Sequence, residues 1–131
     1  MTKQTATFLG GSKALVITDK GKCYAYSGTF TVNATTTTAL DFMTPKKVIY
    51  AKFFMNYDST GFSTGERIGY NVLLNNIEIV SAVYGENVQA PTSAPYELEL
   101  VIPPLTNVKV TLTTSDSSDI TMGMVMVGNV L

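Results

Sequence analysis

Along most of this chain apolar and polar residues alternate with a period of two, most plainly in Tyr96-Glu-Leu-Glu-Leu-Val-Ile102 and Asn107-Val-Lys-Val-Thr-Leu-Thr113. Successive side chains of an extended strand point to opposite faces, so this pattern predicts half-buried β-strands. Ile120-Thr-Met-Gly-Met-Val-Met-Val127 is apolar at both parities. Such a strand has to be covered on both sides, by a second sheet and by something further, for example another subunit. No window repeats apolar residues at helical spacing, and β-branched and aromatic residues dominate, so no helix is predicted.

The upstream half reads the same way. Strands are predicted at about 13–18, at 22–32 with a bend at Gly28, and at 38–43, with Thr35–Thr38 as a strand edge or loop. In the strand 47–57, Ile49, Ala51, Phe53 and Met55 form a core face, while Val48, Tyr50, Lys52 and Phe54 form an outer face that mixes aromatics with a lysine. Arg67–Leu74 and Ile77–Tyr84 make a hairpin through Asn75-Asn76, because asparagine tolerates positive φ better than other non-glycine residues. The segments 58–66 and 85–95 are loops, the second carrying Pro91 and Pro95. The expected fold is all-β, an antiparallel two-sheet sandwich of about eight strands, jelly-roll-like, with residues 1–12 as an N-terminal arm and 13–131 as one domain.

Composition narrows the class. The 131 residues suffice for one core without disulfides or metals, and 45% apolar with only 15% charged residues favours surfaces that other proteins cover. The formal charge of −1 hides an asymmetry, since residues 1–22 carry Lys3, Lys13, Lys20 and Lys22 against Asp19 alone. A mildly basic arm suits an acidic neighbour, but with Arg67 the single arginine there is no basic cluster for nucleic acid. Cys23 is the lone cysteine, which forbids an internal disulfide and reads as a small buried hydrophobe. No stretch approaches the ~18–20 apolar residues of a membrane span, and no secretory pattern opens the chain. A soluble protein made in a cytoplasm, with no membrane partner, is the expectation.

Candidate chemistry is sparse. Gly61-Phe-Ser-Thr-Gly65 matches the nucleophile-elbow pattern, yet a serine there needs a histidine base and the chain has none. Asn33-Ala-Thr35 fits a glycosylation acceptor, which reads as chance in a chain without a secretory signal. Only hard oxygen sites remain for a metal, at Asp116/Asp119 and at Asp58/Glu66, and both read as solvated turns. Glu97 and Glu99 sit two apart on one strand face, a solvent face rather than a catalytic pair across a cleft. Tyr24 and Tyr26 share a face of one strand, but without tryptophan or interleaved cations the tyrosines read as packing rather than a base-stacking platform; a glycan platform stays open. No enzyme, no metal and no cofactor are expected.

The run Glu99-Leu-Val-Ile-Pro-Pro-Leu-Thr-Asn-Val-Lys-Val-Thr-Leu112, a polar turn, and the closing Met122-Gly-Met-Val-Met-Val-Gly-Asn-Val-Leu131 resemble the C-terminal half of small β-sandwich virion proteins of tailed bacteriophages, of the capsid decoration or cement type. The upstream Tyr70-Asn-Val-Leu-Leu-Asn-Asn-Ile-Glu-Ile79 is similar to their hairpin unit. The resemblance covers roughly residues 47–131. It implies a non-enzymatic virion component that binds and stabilises the phage head, with the major capsid protein or another virion protein as partner. It also implies a homo-oligomer, a trimer first, made in the host cytoplasm and carried on the capsid surface. The working assignment has Lys3 and Lys13 on a docking arm, Tyr50, Phe54, Val125 and Val127 at contacts, and Phe62 and Tyr84 on outward loops. Two alternatives remain, a host-recognition fibre or spike module that binds a glycan, and a self-assembling jelly-roll capsid subunit.

Overall fold

A period of two repeated along a chain can bury its apolar rows by stacking one sheet on another, and this chain does so. The computed structural model describes residues 14–18, 20–32, 36–57, 67–85, 97–114 and 120–131, with the backbone alone at 84 and 85. Among these residues there are nine strands and no helix: β1 (Val16–Ile17), β2 (Lys22–Val32), β3 (Thr36–Met43), β4 (Ile49–Tyr57), β5 (Arg67–Leu74), β6 (Ile77–Gly85), β7 (Glu97–Ile102), β8 (Asn107–Thr114) and β9 (Ile120–Val130). The strand expected at 13–18 shrinks to the two residues of β1, which pair with Tyr24 and Cys23. The one expected at 38–43 begins earlier, so Thr36 to Thr38 belong to the sheet.

One sheet has the order β1-β2-β9-β4-β7 and the other β3-β8-β5-β6. The pairs β2/β9, β3/β8, β4/β7 and β5/β6 are all antiparallel, successive rungs of one long hairpin whose tip is the β5–β6 turn. Rolling that hairpin up lays β9 against β4 and β8 against β5, again antiparallel. This is the jelly-roll order. The tip itself is a two-residue turn with φ of 51° at Asn75 and 66° at Asn76, the positive values that match the twist of the flanking strands. The Asn75 N–H donates to the Asn107 carbonyl at 2.9 Å, and the Asn107 N–H donates back to Asn75 Oδ1 at 2.9 Å, which clips the tip to β8.

The inner faces meet in one core. Ile49, Ala51, Phe53 and Met55 of β4 are buried as their parity predicts, beside Met122, Met124 and Met126 of β9. Ile68, Tyr70 and Val72 of β5 and Val108, Val110 and Leu112 of β8 face them from the other sheet. In β2 the inward parity runs through Cys23, Ala25 and Ser27, then shifts so that Val32 is buried. The shift is a bulge between Tyr26 and Thr29, made at Gly28 with φ 71°, the site of the expected bend. Ser27 beside it is 3% exposed and satisfied, its hydroxyl donating to the Gly28 carbonyl at 2.6 Å and accepting the Met124 N–H at 2.8 Å. Cys23 is buried, and burial pushes its thiol up to about 11. Its side chain therefore stays neutral and unreactive inside the fold.

The corner after β7 is held by side chains. Thr44 is 2% exposed; its hydroxyl accepts the Thr106 N–H at 2.8 Å and donates to the Pro103 carbonyl at 3.0 Å. Leu105, at φ 52°, donates its N–H to the Pro45 carbonyl at 2.9 Å. Thr44→Val keeps the shape of the side chain but leaves the buried Thr106 N–H without its partner, so it is expected to cost about 1–3 kcal/mol. Urea unfolding checks this, and an unchanged midpoint would mean that water replaces the hydroxyl.

Candidate functional site

The strand registers arrange the outer face of the five-stranded sheet into three rows running from β2 across β9 and β4 to β7. Lys22, Asn129, Tyr50 and Val101 form one row; Tyr24, Val127, Lys52 and Glu99 the next; Tyr26, Val125, Phe54 and Glu97 the third. The parity that puts Ile49, Ala51, Phe53 and Met55 into the core puts Tyr50, Lys52 and Phe54 outside. Tyr50 is 51% exposed, Val101 54%, Tyr26 40% and Val127 37%. Between these rows runs a shallow groove of about 680 Å³, lined among others by Lys22, Tyr50, Phe54, Val101 and Val127.

The polar members of the face are engaged with one another. Lys22 Nζ donates to Asn129 Oδ1 at 2.7 Å. Lys52 Nζ stands 3.5 Å from Glu97 Oε1 and 3.5 Å from Glu99 Oε1, and 5.9 Å from the centre of the Phe54 ring. Such exposed pairs add little stability. Their effect is electrostatic, since two lysines and two glutamates cancel and leave the face without net charge. Tyr24 and Tyr26 stack with ring centroids 4.7 Å apart, which orders two large amphipathic side chains along the β2 margin.

The opposite outer face has another character. On the four-stranded sheet the rows are Thr36, Thr113, Gly69 and Val83, then Thr38, Thr111, Asn71 and Ser81, then Asp41, Lys109, Leu73 and Glu78. Hydroxyl, amide and charged groups predominate on it, as expected of a solvent face, while its β6 margin exposes Ile79 and Val83. The sandwich thus has one side that is polar across β3, β8 and β5 and one apolar, aromatic side.

Four of the residues singled out from sequence, Tyr50, Phe54, Val125 and Val127, come together on the apolar side, with Phe54 directly opposite Val125. Val125 and Phe54 are half-buried there. Among the described residues the outer parity of β9 is thus only partly sheltered by its strand neighbours, with Val127 left exposed. Lys3, Lys13 and Phe62 lie outside the described residues, as do the acidic pairs Asp58/Glu66 and Asp116/Asp119 and most of the arm and loops; Tyr84 is described in its backbone only, in β6 of the other sheet. Among the described residues no three His, Cys, Asp or Glu side chains gather as metal ligands would. Sequence reasoning missed Tyr24, Tyr26 and Val101 as members of this face. The shared parity of the two tyrosines was visible, but only the β2–β9–β4 register places them beside Val127 and Phe54.

No protein-family model and no curated protein matches this chain. Among solved structures, the crystal structure of the infectious bursal disease virus VP2 subviral particle is similar over 83% of this chain and 33% of that one, at 13% identity and a TM-score of 0.49. The chain spans about a third of the length of that protein.

Proposed function

We propose that this chain is a non-enzymatic virion structural protein, a decoration or cement protein that lies on a phage head and stabilises it. The observation that carries this reading is the apolar, charge-balanced outer face of the five-stranded sheet, set against a polar face on the other. Interface cores are rich in aromatic side chains and poor in net charge, and rows of Tyr, Phe and Val around an internally neutralised Lys52 have that make-up. The occupant of the face is the shell protein, which presents an uncharged surface with hydrogen-bond partners for the tyrosine hydroxyls. Docking through such a face is driven by burial of apolar area rather than by long-range charge, and its affinity depends only weakly on salt. The decoration role follows the sequence resemblance described above, and the basic arm with Lys3 and Lys13 supplies a second contact in that scheme.

The test is co-sedimentation with heads of the encoding virus that lack this protein. Tyr50→Ala with Val127→Asp removes a central aromatic and plants a charge in the groove. A hot-spot loss of about 2 kcal/mol or more, roughly 30-fold in affinity, is expected, while Thr111→Asp on the polar face leaves binding as it was. Undiminished binding of the outer-face variant would overturn the reading.

A further inference from the structure

A two-sheet sandwich has four edges, and among the described residues these are β1 and β7 on one sheet and β3 and β6 on the other. An edge strand offers a row of unpaired N–H and C=O groups, and proteins blunt it by shortness, charge or irregularity. β1 has two residues. β7 exposes Glu97 and Glu99, which would oppose their own copies. β3 breaks its register in mid-strand, between Thr38 and Leu40. β6 is different. It has nine residues, no proline and one charge, Glu78, and it exposes three aliphatic side chains: Ile77 at 67%, Ile79 at 42% and Val83 at 53%. Its own bulge lies near the hairpin tip, and from Val80 to Gly85 it pairs with β5 in unbroken register.

We infer that β6 pairs antiparallel with β6 of a second copy of this chain, about a two-fold axis at Ser81, so that two four-stranded sheets become one continuous sheet. The segment Ile79-Val-Ser-Ala-Val83 is self-complementary about its centre. Val80 falls opposite Ala82 on the inner face and Ile79 opposite Val83 on the outer one, and the symmetry makes each contact twice; the bulge beyond Ile79 ends the matched stretch there. The exposed Ile79 and Val83 cover each other, and the one charge never meets its own copy. A slip of two residues either way sets Ile79 against Ser81 or Gly85 and loses that match. A slip of one would turn the inner face of one copy against the outer face of the other. A two-fold edge contact closes at a dimer, in place of the trimer that the resemblance implies. The apolar outer face described above lies on the other sheet and stays open for the shell.

Light scattering on the full chain tests this, with a mass of twice 14.1 kDa expected for the unaltered protein. Ile79→Lys with Val83→Lys places lysine against lysine at both ends of the pairing. Both side chains are exposed, so the variant keeps its circular dichroism and thermal transition while its mass falls to that of the monomer. Ser81→Cys then reports the register, because directly opposed Cβ atoms lie about 4.5–5.5 Å apart. Mild oxidation should yield a disulfide-linked dimer, whereas Asn71→Cys, one strand further in, should not; buried Cys23 does not compete. A monomeric unaltered protein, an oligomer of any size that survives the lysine pair, or failure of Ser81→Cys to cross-link would each overturn the proposal. Each of these outcomes is read on free protein, so it is separate from head binding by Tyr50 and Val127.

Discussion

Phe53→Ala is expected to destabilise the fold by about 3–5 kcal/mol, a large part of the roughly 5–15 kcal/mol that holds an ordinary domain together. Phe53 is fully buried and sits in the strand that joins two neighbours, opposite Met126 of β9 and Leu98 of β7. Removing the ring leaves a cavity between two sheets whose backbones are fixed by their own hydrogen bonds, so the site cannot collapse to fill it. The comparison that makes the result informative is Phe54→Ala. That ring is next in sequence but on the outer face and half-buried, so its loss should cost far less stability and should appear in shell binding instead. Denaturant unfolding of both variants checks this. Equal costs would mean that the two faces of β4 are not inside and outside as described.

The second large effect is expected at Gly128, in the middle of the five-stranded sheet, where β9 runs between Cys23 of β2 and Ala51 of β4. A Cβ at this position would stand 2.4 Å from the Tyr50 carbonyl oxygen and 3.2 Å from Ala51 Cα. Both are backbone atoms in a paired strand, and no rotamer change can move them aside. Gly128→Ala must therefore push β9 away from β4, at a cost of about 1–3 kcal/mol or more. The displacement acts on the pair Tyr50 and Asn129 one step along the ladder, so head binding should weaken together with stability. A variant with an unchanged melting temperature would show that the strands pass further apart here than the geometry requires.

The make-up of the apolar outer face explains why charge statistics said little about its location. The four charged side chains on it sum to zero, and Lys52, read from sequence as part of an outer face that mixes aromatics with a lysine, is held between Glu97 and Glu99. Those glutamates read from sequence as a solvent face, which they are; their cation belongs to a strand some 45 residues away in the chain. Pairing of this kind leaves no mark in either strand taken alone.

What the sequence determined by itself is local. The period of two sets which side chains of β4, β7 and β8 share a face, so Ile49, Ala51, Phe53 and Met55 could be assigned to the core before any pairing was known. Asn75-Asn76 was legible as a hairpin turn because positive φ is a property of single residues, and Gly28 as a bend for the same reason. Strand order is another matter, since it depends on contacts between residues a hundred positions apart, such as Lys22 with Asn129, that no local propensity encodes. The tertiary structure alone decided that the two-sided apolar β9 lies between β2 and β4. It thereby placed Tyr24, Val127 and Lys52 in one row, and it put β6 with its aliphatic side chains at the margin of the described four-stranded sheet. Periodicity fixes faces because side-chain direction alternates within one strand; register and order are fixed by burial summed over the whole sandwich.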